Sequence, residues 1–133
     1  MKRQNVSSGT PWEPIVGYSR AVRMGGWIAV SGTTATNERG EVTHVGDPYG
    51  QTLQTLSNIE RALRMAGGSL ADVIRTRIYV VDIRQWQDIA RAHAEVLGGV
   101  RPATSMVEVS RLIHPDMLVE IEADAIVAAA EDA

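Results

Sequence analysis

Three carboxylates recur at every second residue of the segment VEIEADAI: Glu120, Glu122 and Asp124. On an extended chain alternate residues share one face, about 6.6 Å apart, because each residue advances about 3.3 Å. Carboxylates this close repel when ionised. That raises the proton affinity of at least one of them and suits it to general acid or base work. The structural alternative is neutralisation by Arg75 and Arg77, which share a face of the apolar run at 73 to 81. The two roles can coexist on one strand.

The other candidate groups point to less. His44, His93 and His114 are scattered without metal-ligand spacing, and His93 falls on the apolar stripe of a predicted helix. They predict one packed or interfacial histidine, two surface ones and no metal site. Ser31 in VSGT has no histidine or aspartate spaced to complete a hydrolase triad. Paired glycines start at 25, 67 and 98, each at a turn or helix end, so there is no phosphate loop or dinucleotide fingerprint and no cofactor is expected. The chain has no cysteine. That excludes a thiol nucleophile, thiolate metal ligands and disulfides, and it fits a cytoplasmic setting.

The elements that must position these groups follow from periodicity and punctuation. Residues 15 to 23 and 27 to 33 read as strands joined at Gly25-Gly26, with room for a short strand around Val42 to Val45. Asp47-Pro48 opens a helix whose Leu53, Leu56, Ile59 and Leu63 form one stripe, and Gly67-Gly68 closes it. A β-branched strand follows at 73 to 81. Asp82 is expected to cap a second helix with Trp86, Ile89, His93 and Val96 or Leu97 inward, stopped at Gly98-Gly99. Strands at 104 to 110 and 117 to 127 complete the chain. This order predicts an α+β fold, a mixed sheet with two helices packed on one face. The uncovered face, alternately apolar and charged, is then expected to meet other subunits.

The 133 residues suit one domain over 1–133, with an ordered core at about 15–127 and a frayed tail, AAAEDA. With 44% hydrophobic residues, the core must come from Val, Ile, Leu, Met and Ala, since phenylalanine is absent. The net charge of −3 disfavours a nucleic-acid partner, which needs clustered Lys and Arg. No apolar run reaches membrane-spanning length, so no membrane partner is expected. The opening MKRQNVSSGTPWEP lacks the apolar core of a secretion signal.

From about Tyr18 to Val127 the chain resembles the Rid family (also called YjgF), the reactive intermediate/imine deaminases. The resemblance is carried by YSRAVRMGGWIAVSGT, by QTLQTLSNIERALRMAGGSLADVIRTRIYVVD, and above all by RPATSMVEVSRL followed by VEIEADAI. It implies a chorismate-mutase-like α+β fold and a homotrimer with small-molecule clefts between adjacent subunits. It also implies hydrolysis of imines and enamines, such as 2-aminoacrylate, to a 2-oxo acid and ammonia without metal or cofactor. Carried over residue by residue, it implies Glu120 as the catalytic carboxylate that positions or activates water. Tyr18, Ser31 and the loop residues Thr104, Ser105 and Met106 become substrate contacts.

The departures are as informative as the matches. Thr104, in PATS, stands where the family's PARS carries the arginine that forks onto the substrate carboxylate. Met106 stands at the family's cysteine, and Ala90 at its common asparagine. Removing a charged partner of this kind costs about 2–5 kcal/mol, tens- to thousands-fold in binding. Hydrolysis of carboxylated imines is therefore expected to be weak or absent, with substrate choice altered. Arg101, next to Pro102 and on the opposite strand parity, is poorly placed to compensate; Arg77 could reach a cleft from another strand. The alternative function is a non-catalytic metabolite-binding or regulatory trimer. Ribonuclease activity, attached to some relatives, fits the acidic balance least.

Overall fold

Alternation within the strands decides which side of the sheet the helices cover. In the computed structural model, which describes residues 1–129, six strands form one sheet: β1 (Arg3–Val6), β2 (Ala21–Met24), β3 (Trp27–Thr33), β4 (Val73–Val80), β5 (Ala103–Glu108) and β6 (Val119–Ile126). Their order is β1-β2-β3-β6-β4-β5. All neighbours are antiparallel except β4 and β5. That parallel pair needs a crossover, which α3 (Trp86–Leu97) supplies. The fold is the expected mixed α+β arrangement. Helices α2 (Pro48–Met65) and α3 pack on one face of the sheet over Ile28, Val30, Ile78, Val80, Val119 and Ile121. Leu56, Ile59, Leu63, Ile89 and Leu97 answer from the helices.

Local chemistry explains the long helix. The Asp47 side chain accepts the Gly50 amide at 3.0 Å, and Pro48 occupies the first turn, where its missing N–H costs nothing. Inside that helix Gln51 is fully buried yet satisfied. Its amide donates to the Asp116 carbonyl at 2.7 Å, and its carbonyl accepts from the Leu118 amide at 2.8 Å. This clamp fixes the chain just ahead of β6.

Several boundaries differ from the sequence expectation. The N-terminal region is built in before residue 15, with β1 on β2 and a single helical turn, α1 (Trp12–Val16). Residues 15 to 23 are therefore not one strand. Pro14 sits harmlessly in the first turn, and Gly17, at φ 88, closes the turn with its amide on the Glu13 carbonyl. The β-branched Ile15 and Val16 are overruled and left exposed. The short strand around Val42 reduces to one bridge, Thr36 to Val42. Asp82 caps a 3-10 turn at Ile83–Gln85 rather than α3 itself, and Trp86 is half exposed at the helix start. The expected strands at 104 to 110 and 117 to 127 run from 103 to 108 and from 119 to 126. The tail beyond residue 129 lies outside the described residues.

Candidate functional site

The open face of β6 carries Glu120, Glu122 and Asp124, and the structure separates their roles. Arg77, across on β4, pairs with Asp124 at 3.1 Å and with Glu122 at 3.6 Å. The Tyr79 hydroxyl donates to Glu122 at 2.8 Å. Glu122 and Asp124 thus share one structural partner, which occupies Arg77. Glu120 has no ion-pair partner among the described residues. Burial pushes its carboxyl above the ordinary range, Arg20 pulls it partly back, and Glu122 adds to the rise.

A defect in the sheet makes room for that carboxylate. Between Val30 and Thr33 the register with β6 slips by one residue, a β-bulge at Ser31-Gly32. A Cβ on Gly32 would lie 2.0 Å from Glu120 Oε2 and 3.0 Å from its Cδ. Only glycine lets the carboxylate lie across the bulge.

Around it opens a cavity of about 610 Å³. Tyr18, Arg20, Ser31, Gly32 and Glu120 form its polar side, while Trp12, Val16, Met65, Ile113 and Met117 contribute apolar wall. Ser31 is anchored, its hydroxyl donating to the Ser19 carbonyl at 2.6 Å. The Tyr18 hydroxyl accepts from Arg20 Nη2 at 2.9 Å, so its own hydrogen remains for a further partner. Sequence reasoning passed over Arg20. Its position two residues after Tyr18, on the same parity of an extended segment, was the clue.

Position 104 lies elsewhere in the protomer. Thr104 pairs with Thr76 across the parallel β4–β5 ladder, and β5 is an edge strand. Thr104 Oγ1 lies 2.8 Å from Thr76 Oγ1, which lies 2.9 Å from His93 Nε2 on α3. Burial pushes the His93 ring below its ordinary pKa. The Thr104 hydroxyl therefore faces the helix side of the sheet, the side away from Glu120. Met106 shares that side and packs partly into the core, while Ser105, opposite Arg77, is on the open face. The cavity thus brings together Tyr18, Ser31 and Glu120, but not Thr104, Ser105 or Met106. Among the described residues no cluster of three or more His, Asp or Glu could hold a metal ion. Nor is any helix long and apolar enough to cross a membrane.

With this geometry in view, the relatives are instructive. The family model for Endoribonuclease L-PSP matches residues 9–127. A crystal structure from Mycobacterium tuberculosis, Rv2704, described as a member of the YjgF/YER057c/UK114 family, superposes with a TM-score of 0.87 at 52% identity, over 95% of this chain and 100% of that one. The chain belongs to the YjgF/Rid family. A RutC family protein of Pyrococcus horikoshii is 40% identical over 112 residues, 84% of this chain and 87% of its own. The 3-aminoacrylate deaminase RutC of Acinetobacter baylyi is 38% identical over 113 residues, 85% of this chain and 88% of its own. As a Rid-family chain it keeps a glutamate, a tyrosine and a serine around one cavity. It carries a threonine, on another strand and the opposite face, where the resemblance places the arginine.

Proposed function

We propose that this Rid-family chain hydrolyses the C–N bond of a small imine or enamine, using Glu120 as the group that handles water. The observation that carries this reading is Glu120 itself: a carboxylate without an ion-pair partner among the described residues, raised by burial, at the wall of a cavity shared with Tyr18 and Ser31. A carboxylate pushed towards neutrality takes a proton from water and returns it later, as general base and then general acid. Water oxygen bonds to the imine carbon while its proton passes to Glu120. The C=N bond becomes a single bond as nitrogen takes that proton back from Glu120, giving a carbinolamine; Glu120 then relays the carbinolamine hydroxyl proton to nitrogen, the C–N bond breaks, and ammonia and a carbonyl compound are left. An enamine enters the same course after protonation of its carbon gives the imine. The Tyr18 hydroxyl, polarised by Arg20, has a hydrogen to donate to the substrate. The deaminase name of the 38%-identical RutC supports this reaction class.

The same reading makes the working unit a homotrimer. Glu120 and Thr104 lie on opposite faces within one protomer, so a cleft touching both needs Thr104 from a second copy. The open sheet face, with Trp27 and Val107 about half exposed, has the apolar content such packing requires. Position 104 brings a neutral hydroxyl to that cleft, which alters substrate choice away from ligands that need a forked guanidinium there. A second reading rests on that threonine: a trimer that binds a metabolite without turning it over.

The test supplies imines made from several amino acids by an oxidase and follows ammonia and carbonyl product. Wild type is expected to accelerate 2-imino acids little or not at all, and Thr104→Arg to raise that rate at least tenfold. On any substrate that is turned over, Glu120→Gln is expected to lower kcat by about 10²-fold or more, the usual scale for a general base. Activity surviving Glu120→Gln overturns the assignment. Stabilisation by ligands with no turnover on any imine leaves the binding reading in its place.

A further inference from the structure

Arg20 is buried, with 9% of its surface exposed, yet no carboxylate pairs with it among the described residues. Its Nη1 donates to the Gly32 carbonyl at 2.7 Å and to Thr33 Oγ1 at 3.1 Å, and its Nη2 donates to Tyr18 at 2.9 Å. All three partners are neutral. They use three of the five N–H donors and leave Nε and one Nη2 hydrogen without a protein acceptor. Glu120, in the same cavity, feels the Arg20 charge but makes no direct pair with it, so the free N–H donors of a largely buried guanidinium still favour a further acceptor. Arg20 also lines the cavity that holds Glu120. Its partners fix it to the bulge and to Tyr18, so the fork is held rigid before any ligand arrives.

We propose that Arg20 is the anion anchor of this cavity and that it selects small carboxylates with a short apolar body. This rests on the reading that the cavity takes the substrate, and it names the substrate class. The fork matches a carboxylate, and Trp12, Val16, Ile113 and Met117 give the same cavity apolar wall, which Arg61, Glu38 and Glu122 also line. This anchor comes from the protomer that supplies Glu120, whereas position 104 enters the proposed cleft from a second copy. It therefore selects a carboxylate set differently with respect to the C–N bond. A chain with threonine at 104 can refuse 2-imino acids and still take carboxylated ligands. Glu120 shares the cavity, so its negative form opposes the incoming carboxylate.

Equilibrium binding tests this without any turnover, so it stands or falls separately from the hydrolysis assay. Butyrate and its neutral isostere butyramide are titrated into the full chain and followed by NMR. Wild type is expected to bind butyrate at least tenfold more tightly, with the Arg20 Nε–H resonance shifting on titration. Arg20→Gln is expected to erase the preference and Arg20→Lys to keep part of it. Glu120→Gln is expected to tighten butyrate several-fold while leaving butyramide nearly unchanged. Equal affinity of the two probes for wild type overturns the proposal. So does a preference for butyrate that survives in a folded Arg20→Gln protein. Should that variant not fold, the wild-type comparison and the Nε–H shift decide: a static resonance refutes the assignment.

Discussion

Two polar clusters on the sheet, one at the β5 edge and one in the Glu120 cavity, treat their groups in opposite ways. On the helix side, the groups at the β5 edge use one another: His93 Nε2 meets Thr76 Oγ1, Thr76 meets Thr104 Oγ1, and Thr104 also reaches the Pro102 carbonyl at 3.2 Å. On the open side, the cavity groups keep capacity in reserve. Among the described residues Glu120 has no ion pair, Tyr18 has a hydrogen to give, and Arg20 has donors without protein acceptors. Buried polar groups in folded chains are normally satisfied, so a concentration of unused capacity in one cavity marks where a ligand belongs. The contrast separates two residues that motif matching had put together. In the protomer Thr104 is wired to the fold, while Glu120 is held ready.

The sharpest way to break that contrast is at Gly32. Alanine there would place a methyl group within 2.0 Å of Glu120 Oε2. The obstacle is the tip of a flexible side chain, so the carboxylate swings aside and the fold survives. Gly32→Ala is expected to cut C–N hydrolysis by about 10²-fold, comparable to losing the general base, with a melting temperature close to wild type. Equal activity of this variant would mean that the position of the carboxylate over the bulge is irrelevant to turnover.

The helix-side region calls for the converse result. Thr76 is fully buried between His93 and Thr104. Thr76→Val keeps the shape and the β-branch but removes the shared hydroxyl. Thr104, on the edge, can turn to water; the half-buried His93 nitrogen loses its partner. Leaving a buried polar group unsatisfied costs about 1–3 kcal/mol, readable as a lower urea midpoint with an unchanged slope. Binding of butyrate in the Glu120 cavity is expected to stay within twofold of wild type. A large change there would tie the two regions together and undo the division drawn between them.

How much of this could be read from the chain differs for the same physical reasons. The sheet, the long helix and its caps were legible because alternation, helical stripes and Asp-Pro or Gly-Gly punctuation act locally. Tyr18, Ser31 and Glu120 were legible only through family motifs, and the fold does bring them to one cavity. The first helical turn was missed because Pro14 and Gly17 overrule two β-branched residues. Arg20 was missed because a charge at the start of a strand usually points to solvent; nothing local shows that the bulge and Tyr18 hold it. The bulge is a register event between strands about ninety residues apart in sequence, with no mark in the chain beyond one glycine. Arg77, considered for the cleft, is instead consumed by Glu122 and Asp124, a pairing that the i, i+2 spacing on both strands allows but does not require.

The smallest effect concerns stability and pH. Glu120 has its folded-state pKa raised by burial, so the folded protein holds this proton more tightly than the unfolded chain does. Such a group contributes its stabilisation below the unfolded carboxylate pKa, about 4.3, and loses it as pH rises through the folded value. Ionising Glu120 as pH rises therefore weighs against folding. Glu120→Gln, which removes the charge but keeps the shape, is expected to be more stable than wild type at pH 7, with the gap closing as pH falls towards 4. Paired urea titrations across that range check the sign. A variant less stable than wild type at pH 7 would mean that Arg20 holds Glu120 as an effective ion pair. The cavity would then carry its own counter-charge, and the division between a saturated edge cluster and a ligand-ready cavity would fail at its centre.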